Sequence, residues 1–167
     1  MSWQGNTIAV VRQLIGDTDS TAYTYSDTRI EQTVLTAAML VNTNTNFVNT
    51  YTIDIAGCSI SPDPTDTDTK DDPFVALISL KAACIIVGSE VRKESGNAIS
   101  IKDGPSAIDL RGVTDTLLKL YKNLCDKFEE TLFQYRAGDS VAGQAILTPY
   151  SPGSDSFTSY STDHRFQ

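Results

Sequence analysis

The first part of the chain contains two segments in which apolar residues recur at steps of three and four positions, the spacing of an amphipathic helix. The first segment predicts a helix over residues 7–15 that ends at Gly16. The second predicts a helix over residues 27–41, with Ser26 as its N-cap. The expected buried faces are Ile8, Val11 and Ile15 in the first helix, and Ile30, Val34, Ala37, Ala38 and Val41 in the second.

Two further segments carry the same spacing over longer distances. Residues 73–94 are apolar around most of the girth of a helix, so we expect this helix to lie at the centre of the body, with Asp72 as its cap and Pro73 in its first position. Residues 114–136 predict a fourth helix that stops at Gly138. Its apolar seam is Leu117, Tyr121, Leu124, Phe128, Leu132 and Tyr135.

Alternation of apolar and polar residues, which is typical of strands, occurs in two places. Residues 47–55 predict one strand, and residues 99–110 predict a hairpin with its turn at Asp103 and Gly104. The expected fold is therefore mainly α: a four-helix body with a small antiparallel β element.

After Gly138 the periodic apolar pattern ends, although aromatic residues do not. This stretch combines nine Ser and Thr residues and four charged residues with a few scattered rings, a composition that suits binding in a groove of another molecule better than folding alone. We therefore divide the chain into a body, residues 1–138, and an extended C-terminal docking arm, residues 139–167. The rings expected to dock are Tyr150, Phe157, Tyr160 and Phe166.

The charge pattern argues against nucleic-acid binding and against a calcium site. The chain has a net charge of −8 and no basic stripe, so it has little with which to displace counterions from a phosphate backbone. Five aspartates lie within residues 61–72, but counting from Asp66 the sixth position is Asp71 and the twelfth is Leu77, where an EF-hand needs glycine and a bidentate acid. We predict a solvated loop there, and no cofactor or metal.

The cysteines and the N-terminus together indicate a reducing location. The N-terminus lacks the basic and apolar regions of an export signal, and no run of residues approaches the length that would span a membrane, so we expect synthesis in the cytoplasm and no membrane partner. Cys58, Cys84 and Cys125 are odd in number and none belongs to a CxxC pair. We predict that all three are free thiols, with Cys84 and Cys125 buried in apolar seams.

The sequence contains few residues that could form a catalytic site. His164 is the only histidine, and it falls in the predicted arm, which removes most triads, dyads and imidazole metal sites. A hydrolase that uses only carboxylates would need two acids held close together, and the sequence identifies no such pair. We expect no enzymatic activity. Apolar surface left on the long helices favours association instead, and Tyr121, Tyr135 and Val91 are candidate subunit contacts.

Several local motifs occur in an order that is characteristic of one family. A helix closes in Leu14-Ile-Gly-Asp, the next opens at Tyr25-Ser-Asp, and a long apolar helix is followed by Ile99-Ser-Ile-Lys-Asp-Gly-Pro-Ser-Ala-Ile-Asp before the last helix. Over roughly residues 4–137 the chain resembles the head-to-tail connector, or adaptor, proteins of tailed bacteriophages.

The resemblance implies a structural protein of the virion neck that is assembled in the host cytoplasm. Such proteins form a homo-oligomeric ring, usually a dodecamer, beneath the portal protein and connect it to a tail or stopper protein. Genomic DNA passes through the lumen of the ring without specific binding. The resemblance also implies that the C-terminal segment docks on the portal. The insertion at residues 47–60 and the long arm keep open another neck protein, a stopper or a tail terminator. A monomeric cytoplasmic binding module is the alternative from a different class.

Overall fold

Four helices and one small sheet form the part of the chain that the structure describes. The computed structural model describes the backbone of residues 2–100 and 111–139, and the side chains of residues 2–94 and 116–138. The mainly helical fold with a small antiparallel sheet is confirmed. The elements are α1 (Trp3–Ile15), α2 (Asp27–Asn44), β1 (Thr52–Asp54), β2 (Ser59–Ser61), α3 (Asp72–Ser100) and α4 (Arg111–Asp139).

Helix α1 begins four residues earlier than its apolar spacing predicts. Trp3 is only 3% exposed, and it shares a buried stripe with Thr7 and Val11 at steps of four residues. Ile8 and Ile15, which were expected on the buried face, are half-buried. The predicted end is confirmed, because Gly16 adopts the left-handed conformation that closes a helix, with φ of 76°.

Helix α2 follows its predicted pattern closely. The Ser26 side chain accepts a hydrogen bond from the Arg29 backbone N–H at 3.3 Å, which confirms the N-cap. The helix continues three residues past the predicted end, to Asn44. The predicted seam is buried throughout, and Leu35 joins it; its members are Ile30, Val34, Ala37, Ala38 and Val41.

Helix α3 is capped by a different aspartate from the one predicted. Asp71 Oδ1 accepts the Phe74 backbone N–H at 3.0 Å, and the Asp71 carbonyl accepts the Val75 N–H at 3.1 Å. Asp72 is instead the first helical residue, exposed and paired with Lys70 at 3.0 Å. The prediction of Asp72 as the cap is wrong because Asp71 is held in place by a second partner, the Tyr51 hydroxyl at 3.0 Å, which sequence spacing does not reveal.

The central position predicted for the third helix is confirmed. Helix α3 packs against α1 and α2, and its buried residues occur on all sides of the helix: Phe74, Leu77, Ile78, Ser79, Leu80, Ala82, Ala83, Cys84, Ile86 and Val87. Within the described residues, Asp72–Glu94 is long and apolar enough to cross a membrane by length and composition alone, contrary to the expectation that no segment is. Because 56% of its most apolar window is buried inside the molecule, it has the character of a core helix.

The β element is a short hairpin located before α3. Strand β1 pairs with β2 in antiparallel fashion, with Ile53 opposite Ile60. The turn between them is closed by Asp54 Oδ1, which accepts the backbone N–H groups of Ala56 at 3.0 Å and Gly57 at 2.9 Å. The predicted strand over residues 47–55 is therefore too long, and its partner, residues 59–61, was missed.

The residues that precede β1 pack as an aromatic cluster and not as a strand. The Tyr51 ring stacks on Phe74 with centroids 4.0 Å apart, and Phe47 meets the edge of Phe74 at 4.9 Å. This contact fixes the loop after α2 to the start of α3. Packing on Phe74 thus replaces the alternation that predicted a strand.

Three predictions concern segments near or beyond the described residues. Ile99 and Ser100 are the last residues of α3, so the predicted hairpin does not begin at 99, and residues 101–110 lie outside the described part. A first compact unit comprises Met1–Gln134, and the remaining described residues of α4, 135–139, belong to a second unit. The docking arm lies outside the described residues apart from Asp139, which is helical.

Candidate functional site: the edge formed by helices α3 and α4

Helix α4 attaches to the body through one narrow seam. Of its described side chains, Leu124, Phe128 and Leu132 are buried, which confirms the core role expected for Leu124 and Phe128. Leu117, also expected in the core, is half-buried. Around the seam, Leu14 and Ile15 of α1 pack against a cluster that contains Ala83, Val87 and Leu124. Helix α4 therefore contacts α3, and the end of α1 packs against the cluster that the two helices share.

Three contacts define how α3 and α4 are aligned. The Lys81 Nζ lies 4.6 Å from the centre of the Phe128 ring, Cys84 is bonded to Cys125, and a Cβ added at Gly88 would come within 2.8 Å of Tyr121 Cε2. Each step of three or four residues forward along α3 is matched by the same step backward along α4. The two helices are therefore antiparallel in a single fixed register.

This register brings two of the predicted contact residues to one edge. Tyr121 is half-buried and its ring lies against the Gly88 backbone, so part of the ring serves the contact within the subunit. Continuing the register by three residues places Val91, also half-buried, level with Leu118, whose exposed fraction is 36%. Because the antiparallel helices α3 and α4 form a helical hairpin, we call Val91, Leu118 and Tyr121 the hairpin edge. Tyr135, the third predicted contact residue, is half-buried and belongs to the second unit.

The remaining surface of α4 is highly charged but also carries apolar side chains. Phe133 is 71% exposed and Leu120 is 37% exposed, although both lie in a helix with a well-formed buried seam. An open depression along this face is lined by Lys119, Lys122, Asn123, Asp126, Lys127 and Glu130. Its shape suits contact with another surface better than the enclosure of a small molecule.

The disulfide between α3 and α4 corrects the prediction of three free thiols. Cys84 and Cys125 have Cα atoms 5.4 Å apart and are bonded, whereas Cys58 is free and half-buried near the β turn. Cys84 is buried as predicted, whereas Cys125 is half-buried. The bond was missed because 41 residues separate the partners, and only the helix register shows that the two seams bring them face to face.

A buried arginine that sequence reasoning missed organises the connection between α1 and α2. The Arg12 guanidinium donates to Asp17 Oδ2 at 2.6 Å, to Asp27 Oδ1 at 2.5 Å and to the Tyr25 carbonyl at 2.9 Å. It also lies 3.6 Å from the centre of the Tyr23 ring. Because its charge is compensated on several sides, Arg12 has a structural role.

The loop between β2 and α3 is less solvated than predicted. Asp63 accepts hydrogen bonds from the Thr65 N–H at 2.8 Å and from the Trp3 N–H at 3.3 Å, and Asp71 is buried against Tyr51. Asp66 and Asp68 do face solvent. Within the described ranges, no group of three or more histidine, cysteine or acidic side chains is placed to hold a metal ion.

A second polar cluster, which shares Tyr25 with the Arg12 network, links α2 to α3. Arg29 pairs with Glu90 at 3.5 Å, donates to the Ser89 hydroxyl at 3.2 Å, and lies 4.9 Å from the centre of the Tyr25 ring. Burial raises the pKa of Tyr25 above its usual value of 10.0, and the nearby Glu90 carboxylate raises it further by a smaller amount. The phenol is therefore neutral at physiological pH and adds no charge to this cluster.

Comparison of the chain with protein-family models, with curated proteins and with solved structures finds no match.

Proposed function

We propose that this chain is a structural subunit of the neck of a tailed bacteriophage. In this role it forms a homo-oligomeric ring, a dodecamer in the simplest case, that joins the portal of the filled head to a tail or stopper protein. The proposal starts from the sequence resemblance to head-to-tail connectors, and the mainly helical body is consistent with it. In this role the protein acts mechanically and needs no catalytic group and no cofactor.

The observation that carries the proposal is the pairing of a well-packed body with apolar side chains left exposed on α4. A single core, built around α3, accounts for the folding of the subunit. Leu118, Leu120 and Phe133 contribute little to that core, because each is at least 36% exposed. Exposed apolar side chains grouped along one element favour association with another protein. In a ring the hairpin edge supplies lateral contacts between neighbouring copies, with Val91 and Tyr121 taking part. Tyr135 of the second unit is a separate candidate contact.

The electrostatics suit a wall that DNA passes without binding. The net charge of −8 opposes attraction to a polyanion, and Asp66 and Asp68 are exposed on a loop. Repulsion at short range keeps the phosphate backbone from adhering to a lumen. The ring thus encloses DNA without reading its sequence.

The first test is the mass of the assembled protein. We expect the full chain to elute as a single multi-subunit ring in size-exclusion chromatography with light scattering, and to appear as a ring in negative-stain images. A strictly monomeric chain at micromolar concentration would instead support the binding-module alternative. A stopper or tail terminator is distinguished by its partner, because it binds the tail side and not the portal.

The second test substitutes one residue of the hairpin edge. Leu118→Glu places a charge among the proposed lateral contacts, and we expect it to weaken assembly by about tenfold or more. The matched control is Val48→Glu, since Val48 is 90% exposed and its loop packs near Phe74, roughly 25 Å along α3 from Val91 at 1.5 Å per residue. Equal assembly of both variants would remove the hairpin edge from the interface.

The third test removes the arm. A chain ending at residue 138 is expected to keep a cooperatively folding body and to lose attachment to the portal protein of the same phage, measured by co-sedimentation. Many weak attachments add up in a ring, so loss of every arm removes the combined affinity. To separate the four rings from the length of the arm, a full-length variant combines Tyr150→Ser, Phe157→Ser, Tyr160→Ser and Phe166→Ser. Undiminished portal binding by the truncated chain would reject the docking role of the arm.

A further inference from the structure

We infer that the Cys84–Cys125 bond is a reversible redox staple that sets how firmly α4 is held on the body. The inference concerns the subunit itself and does not depend on the proposed neck function. It arises from the position of the bond in the helix register, from the few buried side chains that α4 contributes, and from the unequal exposure of the two cysteine residues.

The bond lies at the middle of the α3–α4 contact. Along α3 it follows the Lys81 contact with Phe128 by three residues and precedes the Gly88 contact with Tyr121 by four. It closes a loop spanning 41 residues, a length at which cross-linking strongly restricts the open states of the chain. A bond in this position holds the register of the two helices even when side-chain contacts loosen.

The non-covalent hold on α4 is weak compared with that on α3. Among the described residues of α4, Leu124, Phe128 and Leu132 are the buried ones, and the helix contacts the body along that single seam. The Lys81 ammonium covers one face of Phe128, which leaves this contact partly polar. Helix α4 therefore depends on the disulfide more than a core helix would.

The two cysteine residues differ in exposure. Cys84 is 6% exposed, whereas Cys125 is half-buried. An external thiolate such as glutathione therefore attacks the Cys125 sulfur, forms a mixed disulfide there, and releases Cys84 as a thiolate that takes up a proton. A second glutathione thiolate attacks the sulfur of the bound glutathione and frees Cys125. In the sum, one protein disulfide and two glutathione thiols become two protein thiols and one glutathione disulfide.

The consequence is a helix whose attachment follows the redox state of its surroundings. In a compartment buffered by reduced glutathione the dithiol form is favoured, and α4 opens more often. In an oxidising medium the bond closes and fixes α4, together with the Leu118 side chain that it presents. Cys58 lies apart, beside the turn of the β hairpin, where its thiol contacts the Ile55 carbonyl at 3.7 Å, and it stays a free thiol in both forms.

The test combines thiol counting with hydrogen exchange on the full chain. After oxidation in air without added thiol we expect one free thiol per chain, from Cys58, and after reduction three. Upon reduction, amide exchange over residues 117–134 should rise by about tenfold or more, while exchange over residues 30–41 of α2 should stay within about twofold. Three free thiols in the oxidising buffer, or unchanged exchange in α4 upon reduction, would overturn the inference.

A matched variant separates the bond from general effects of the reductant. Cys84→Ser combined with Cys125→Ser should show fast α4 exchange in both buffers, whereas Cys58→Ser should respond to reduction as the natural chain does. If the double variant does not fold, the comparison of Cys58→Ser in its oxidised and reduced forms still decides. An α4 that responds to redox conditions without Cys84 and Cys125 would also contradict the inference.

Discussion

Helices α3 and α4 have the same length, 29 residues each, and yet they have opposite relations to the rest of the molecule. Helix α3 has buried side chains on all sides over residues 74–87, and it packs against α1, α2 and α4. Helix α4 buries one seam and leaves charged and apolar side chains in solvent. The difference shows that length and helical spacing do not determine whether a helix is core or edge. The width of the apolar stripe does, since a narrow stripe can cover only one neighbour.

The largest predicted difference compares two phenylalanines. Phe74 of α3 is fully buried in the aromatic cluster with Phe47 and Tyr51, whereas Phe133 of α4 is 71% exposed. Phe74→Ala should lower the free energy of unfolding by about 3 to 5 kcal/mol, because it removes buried contacts and leaves a cavity. Phe133→Ala should change it by less than about 0.5 kcal/mol. Both are measured by urea unfolding, and a similar loss in the two variants would contradict the division into core and edge.

A smaller effect is expected where the two helices meet. In Gly88→Ala the new methyl group would lie 2.8 Å from Tyr121 Cε2, so the ring or the helices must move. We expect a loss of about 1 to 2 kcal/mol, the cost of overpacking less the gain in helix propensity.

The control for this substitution makes space in the partner helix. Tyr121→Ala removes the ring, and in that background Gly88→Ala should become neutral or stabilising, which a double-mutant cycle measures. Additive effects would mean that Gly88 and Tyr121 do not share the contact, and the register derived for α3 and α4 would then fail.

The smallest effect concerns the other side of α3, where Tyr25 and Arg29 meet Glu90. Since the folded state raises the pKa of Tyr25, the unfolded chain loses the phenolic proton first as pH rises above about 10. The stability that Tyr25 contributes is complete below its pKa in the unfolded chain, and it is lost as pH rises through its pKa in the folded state. Tyr25→Phe should therefore gain stability relative to the natural chain between about pH 8 and about pH 11, measured by urea unfolding. A constant difference across this range would show that the cluster does not hold the neutral phenol.

Local sequence signals predicted the helices because their causes are local. Ser26 caps α2 with its own hydroxyl, and Gly16 ends α1 because glycine tolerates positive φ. The wrong cap of α3 has a different origin. Asp71 and Asp72 are equally suitable by type and position, and the choice between them depends on Tyr51, which lies 20 residues earlier.

The candidate edge was predictable only in part. Tyr121 and Val91 were identified from apolar residues left over on two helices, but the sequence did not show that they approach each other. Leu118 and Phe133 received no attention, because an apolar residue outside a helical seam is indistinguishable from ordinary surface until its burial is known. The Arg12 network was missed for a similar reason, since its partners come from the turn and from the start of the next helix.

The sequence by itself determined the order of the four helices in the described part of the chain, the apolar character of α3 and the end of regular structure signals near Gly138. These features follow from side-chain spacing and from backbone preferences that act over a few residues. Only the tertiary structure decided the partner of β1, the cap of α3, the disulfide between Cys84 and Cys125, and the register that forms the hairpin edge. Each of these joins positions distant along the chain, and their proximity is set by how the helices pack around α3, which no local pattern encodes.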